Sequence, residues 1–174
     1  MNRLHKLSIL FSAVATLFIT GCDKDEGSNS LVNTSDQVFI MKASMANFAE
    51  ITAGQIAADS AEDASIAQYG QLMVTEHTAA QQQLSAIATS LGLTISNTLD
   101  AEHQLLIDSL LDLDSSALDS VYIHSQVRDH EATIRFFKNE SAHGLQKDIK
   151  AYVFQVLPEI TLHLQSARVL SQNF

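Results

Sequence analysis

Residues 66–91 read IAQYGQLMVTEHTAAQQQLSAIATSL. Within them Ile66, Gly70, Met73, His77, Ala80, Leu84, Ile87 and Leu91 follow one another at alternating intervals of four and three. That is the repeat of one face of an α-helix, and the alternation expected of a strand is missing. The stretch therefore predicts one long helix with a buried face, and that face carries a single strongly polar residue, His77.

The same pattern extends outward in both directions. Upstream, Phe39, Ala43, Ala46, Glu50, Ala53 and Ala57 form a second face on a helix predicted from Asp36 to Asp59. Ser60-Ala61-Glu62-Asp63 reads as the cap that starts the next helix, and Gly92 as the residue that ends it. A loop through Ser96 and Asn97 leads to a short helix near Ala101–Leu111. Ser116, with Asp119 as its box partner, is expected to cap a third long helix that ends near Gly144, with core line Ile123, Val127, His130, Ile134 and Phe137. A fourth, to about Leu170, carries Ile149, Val153, Val156, Ile160, His163, Ala167 and Leu170. The fold class is all-α: a four-helix bundle with a short extra helix between its second and third members. Tight turns make the first two and the last two long helices antiparallel. The longer middle linker either returns at the same end or crosses the bundle.

Each buried face contains one residue that does not belong in an apolar core: Glu50, His77, His130 and His163. At ~1.5 Å of rise per residue they lie roughly 21, 22, 20 and 26 Å from the starts of their helices, in helices about 40 Å long. All four fall near mid-height whichever route the linker takes. Three imidazoles and a carboxylate at one level suit a divalent transition ion such as zinc, iron, manganese or copper. Glu159, one turn before His163, is a candidate further ligand or acceptor. Glu76, Asp129 and Glu131 flank the histidines and are expected to point partly away. The alternative is a hydrogen-bonded His–Glu cluster that only fixes helix register and binds nothing. Pro158 is expected to free the carbonyl of Phe154 and kink the last helix. His103, His124 and His143 read as surface residues, and Met41, Met45 and Met73 as core filler. No nucleophile elbow, phosphate loop or His-Glu-x-x-His motif is present, so no catalytic residue is assigned.

The N-terminus has a separate logic. Arg3 and Lys6 precede the apolar run Leu7–Ile19, which is too short to span a bilayer comfortably. Ile19-Thr20-Gly21-Cys22 resembles the lipobox of bacterial lipoproteins, in which cleavage before the Cys leaves it as a lipidated N-terminus carrying acyl chains such as palmitate. The resemblance implies a signal peptide over 1–21, a lipidated Cys22 and polar tether over 22–34, and a helical domain over 35–174. It implies a membrane anchor in the cell envelope, facing the periplasm or exterior. Asp23 resembles an inner-membrane retention signal. Cys22 is the only Cys, which leaves nothing for a disulfide. The net charge of -10 argues against a nucleic-acid partner, because phosphate binding needs Lys and Arg.

Four motifs in order carry a further resemblance: Glu50-Ile51 with Gly54-Gln55-Ile56-Ala57, Met73-Val74-Thr75-Glu76-His77-Thr78, Gln126-Val127-Arg128-Asp129-His130, and Leu157-Pro158-Glu159-Ile160 with His163-Leu164. They resemble the signature of the DUF4142 family of exported bacterial proteins, over about Asp36–Leu170. Glu76 departs from it, standing where the family more often has Asp. The resemblance implies a ferritin-like helical fold, hence the crossing linker, and supplies no activity. Di-iron ferritin-like centres use Glu-x-x-His pairs. Here Val74 and Ile160 occupy the positions three before His77 and His163, so ferroxidase chemistry is not expected.

Overall fold

The computed structural model describes residues 32–174, and the described residues are helical with short connections. The lipobox, Cys22, Asp23 and most of the tether lie outside them. The elements are α1 (Thr34–Ser60), α2 (Ala64–Ser90), α3 (Ala101–Asp112), α4 (Ser115–His143) and α5 (Lys147–Leu170), closed by a 3-10 turn at Ser171–Asn173.

Local chemistry explains most of the boundaries. Asn33, Asp63 and Asp100 cap α1, α2 and α3 through side-chain oxygens that accept from the N–H of Asp36, Ser65 and His103. At the end of α2, Gly92 takes φ 71°, the Leu93 N–H bonds the Ala88 carbonyl and the Gly92 N–H bonds that of Thr89. This is the left-handed stop expected of a glycine at that position. The expected Ser116–Asp119 box does not form. Asp114 is the N-cap of α4, without a side-chain bond. The buried Asp119 carboxylate instead accepts from the backbone N–H of Glu62 and Asp63, at 3.1 and 2.8 Å. Those donors sit in the α1–α2 turn, and a buried carboxylate is better satisfied by two of them than by its own helix. α5 runs on through Pro158. Phe154, whose carbonyl loses its partner to that proline, is exposed, so water can replace the bond.

The helix directions follow from the two apolar clusters. One joins Phe39, Ile40 and Ala43 of early α1 to Leu84 and Ala88 of late α2, Phe137 of late α4 and Ile149–Val156 of early α5. The other joins Ala53 and Ala57 of late α1 to Ile66 and Met73 of early α2, Leu118–Ile123 of early α4 and Ala167 of late α5. α1 and α5 thus run one way, α2 and α4 the other. The linker leaves the first cluster, where Leu93 and Ile95 pack, and α3 delivers Ile107 and Leu110 to the second. It crosses the full length of the domain. The predicted core lines are largely buried, with two corrections. Met41 is exposed, because its neighbours Phe39, Ile40 and Ala43 already define the inward face; Met73 does fill the core. His103 is only part-exposed, held to Asp100 at 2.8 Å, whereas His124 and His143 are at the surface.

α1 and α2 approach closely where Gly54 faces Gly70. A Cβ on Gly70 would lie 2.6 Å from the Gly54 carbonyl oxygen and 2.8 Å from the Ala58 nitrogen. Among the described residues, no helix is long and apolar enough to cross a membrane.

Candidate metal centre

Between the two apolar clusters lies a polar layer: Asn47 and Glu50 on α1, His77 and Gln81 on α2, Gln126 and His130 on α4, His163 on α5, all buried. The three imidazoles meet at its centre. Their ring centroids are 5.8 Å (His77–His130), 5.4 Å (His77–His163) and 5.4 Å (His130–His163) apart, a nearly equilateral triangle. One nitrogen of each ring lies within 4.8 Å of the other two.

In each ring one nitrogen is held by a partner that fixes its tautomer. His130 Nδ1 lies 2.9 Å from the backbone carbonyl of Gln126, which can only accept, so Nδ1 carries the hydrogen. His163 Nε2 donates to the Glu76 carboxylate at 2.6 Å. His77 is set by a longer chain. The Gln81 amide nitrogen donates to the carbonyls of Ser44 and Ser96, which turns its oxygen towards the Asn47 amide nitrogen. Asn47 Nδ2 also faces the Tyr152 hydroxyl, leaving Oδ1 to accept from His77 Nδ1 at 3.0 Å. What remains on the three rings is His77 Nε2, His130 Nε2 and His163 Nδ1. All three are buried, without a hydrogen-bond partner, and bear a lone pair.

Burial keeps these rings neutral. It pushes His77 well below the ordinary imidazole value, helped by His130 and His163; it lowers His130 to about 4 against the pull of the Gln126 carbonyl; and it lowers His163 against Glu76. Neutral imidazole is the ligating form. A tetrahedral ion bonded at 2.0–2.1 Å needs ligand nitrogens about 3.3 Å apart, so these three residues could hold an ion once their nitrogens draw in from the 4.8 Å within which they lie.

The expected carboxylates are placed differently. Glu50 is buried, but its Oε2 accepts from the Gln126 amide at 2.8 Å and its Oε1 lies 3.7 Å from His130 Nδ1, the nitrogen already committed to a carbonyl. It stands behind His130 and outside the triangle, because the Gln126 amide holds it there. Burial raises it to about 7, opposed by that amide. Glu159 is exposed and does not join the triangle. Glu76, expected to point partly away, turns back to His163, which offers a buried donor within reach. Asp129 and Glu131 do pair away from the triangle, with Arg128 and Arg168, although the Asp129 side chain is largely covered. The amides Asn47, Gln81 and Gln126 were missed by the sequence reading. The signal for Asn47 and Gln81 was their position three residues before Glu50 and four after His77.

These shifts set how stability responds to pH. Between pH 6.5 and about 4 the unfolded chain binds a proton at His130 that the folded protein refuses, so stability falls as pH drops; at pH 5 the loss is about 2 kcal/mol. His77 and His163 act in the same direction. Glu50 acts oppositely between pH 4.5 and about 7, where only the folded state holds its proton, and regains about 2 kcal/mol on going from pH 7 to 5. One carboxyl offsets one imidazole, and His77 and His163 leave a net loss. The urea midpoint of chelator-treated protein is expected to be lower at pH 5 than at pH 7; an equal or higher midpoint contradicts the neutral buried triad.

Among curated proteins and among solved structures, nothing matches this chain. One family does match, over residues 23–170, and on that extent the chain belongs to DUF4142, described as a domain of unknown function.

Proposed function

We propose that this protein is a lipid-anchored lipoprotein of the bacterial cell envelope whose helical domain binds one divalent transition ion through His77, His130 and His163. The observation that carries the metal reading is the set of three lone-pair nitrogens, buried and unpartnered, each on a ring whose tautomer is locked from behind. A buried polar atom without a partner costs about 1–3 kcal/mol. No protein group satisfies these three atoms, whereas one ion satisfies all three together. The His163–Glu76 pair is the carboxylate–histidine arrangement that orients metal ligands. Three neutral nitrogens leave a coordination position open, and the Glu76 carboxylate behind His163 offsets part of the ion's charge. Zinc, iron, manganese and copper all suit nitrogen donors to differing degrees.

The directions of the long helices and the crossing linker support a ferritin-like four-helix bundle with α3 as part of the crossover. Val74 and Ile160 exclude the Glu-x-x-His pairs of di-iron members, and binding, not catalysis, is the proposed act. The anchor reading rests on Ile19-Thr20-Gly21-Cys22 and places the domain on the periplasmic or outer side, with Asp23 favouring the inner membrane.

Elemental analysis of protein purified without a polyhistidine tag tests the metal reading. About one equivalent of a transition metal per chain is expected, lost in His77→Ala. Metal well below one equivalent, together with no uptake of added zinc, defeats it.

A further inference from the structure

An ion can reach these nitrogens only by a path through packed helices. Beside the triangle lies a cavity of about 10 Å³, lined by Asn47, Glu76, His77, Tyr152, Glu159 and His163 among others. That is room for about one water molecule. Two of the three imidazoles form part of its wall, and each carries an unpartnered buried nitrogen. Two carboxylates form another part, and these reach solvent: Glu159 is exposed, and the Glu76 side chain is 38% exposed. The cavity thus lies against both surface carboxylates and two of the interior imidazoles, between α2 and α5.

From this geometry we propose that the metal ion enters between α2 and α5, through a port whose mouth is formed by Glu76 and Glu159. The inference rests on the metal-binding reading of the same centre and adds the route. A space of one water excludes a fully hydrated ion, so the ion must shed water as it enters, and carboxylate oxygens replace that water at the mouth. Negative charge at a cleft raises the local concentration of cations and the association rate. Once inside, a borderline transition ion gains by exchanging oxygen for imidazole nitrogen. Glu159 then acts at the mouth, one step outside the ligand set. Glu76 serves both places, since the carboxylate that faces the mouth also holds His163 Nε2 at 2.6 Å.

The test follows cobalt binding by stopped-flow absorbance in wild type, Glu159→Gln, Glu159→Lys and Asp112→Asn, a control at the exposed end of α3 that matches the charge change of Glu159→Gln. The association rate is expected to fall on the order of 3–10-fold in Glu159→Gln and further in Glu159→Lys. Asp112→Asn should match wild type. Dissociation into excess chelator should change less than twofold in each. Equal association rates in Glu159→Lys and Asp112→Asn, or one saturating rate shared by all four proteins, would overturn the port in favour of entry by helix opening. If cobalt binds wild type at equilibrium but those rates are equal, only the port falls. If cobalt does not bind wild type at all, the metal reading falls and the port with it.

Discussion

Zinc at about a thousandfold excess over its dissociation constant is expected to stabilise the metal-stripped protein by about 4 kcal/mol, a rise in melting temperature of about 10 °C. His130→Leu should abolish that rise, because two nitrogens do not hold a tetrahedral ion. The same substitution should leave the metal-free protein about as stable as wild type, or more so. It removes a buried lone pair that has no partner and replaces it with an apolar side chain of similar size. The combination separates the readings. A register-fixing cluster predicts a change in stability without any metal dependence in either protein. Thermal melts of both, with and without zinc, check it, and a zinc-induced rise that survives in His130→Leu removes His130 from the site.

The second large effect lies at the crossing of α1 and α2. Gly70→Ala gains about 1 kcal/mol of helix propensity in an ordinary helix. Here the new methyl would meet the Gly54 oxygen at 2.6 Å, the Ala58 nitrogen at 2.8 Å and the Ala57 Cβ at 3.0 Å. Two of these are backbone atoms and cannot rotate away, so the helices must separate. Overpacking of this kind costs about 1–3 kcal/mol, and more where backbone is involved. The expected outcome is a net destabilisation of about 2 kcal/mol by urea titration. His77 lies two turns further along the same helix, so separation also stretches its bond to Asn47 and should weaken metal uptake. Gly92→Ala is the contrast. Nothing lies within 4 Å of the added atom, and the cost is only that of holding φ at 71°, about 1 kcal/mol. Equal effects at the two glycines would contradict the close crossing.

The convergence of His77, His130 and His163 was legible in the sequence because helical periodicity and a fixed rise constrain face and height together. Both quantities belong to one helix at a time and survive ignorance of the topology. Contacts decided between helices were not legible. Glu76 and Glu159 each stand one turn or less from a histidine, and periodicity ranks neither first. Only the packing of α2 on α5 turns Glu76 to His163 and leaves Glu159 in solvent. Glu50 sits on the right face at the right height, yet the Gln126 amide draws its carboxylate behind His130. Asp119 fitted a local capping box but serves a turn 56 residues away in sequence. The tautomer of His77 depends on Ser44 and Ser96, and no spacing rule links those positions to it. Periodicity left the linker route open, since both routes keep the same pattern; the family resemblance implied the crossing, and the two clusters show it.

The polar layer also divides the hydrophobic interior into two halves that meet across a seam. Every long helix contributes to both halves, so neither is a unit of its own. At the waist the four helices that run through both halves face one another with amides and imidazoles in place of apolar side chains. A ligand seated there would act as a rivet, and its signature would be slowed amide exchange at both distant ends, around Phe39 and around Leu118, far from any atom it touches.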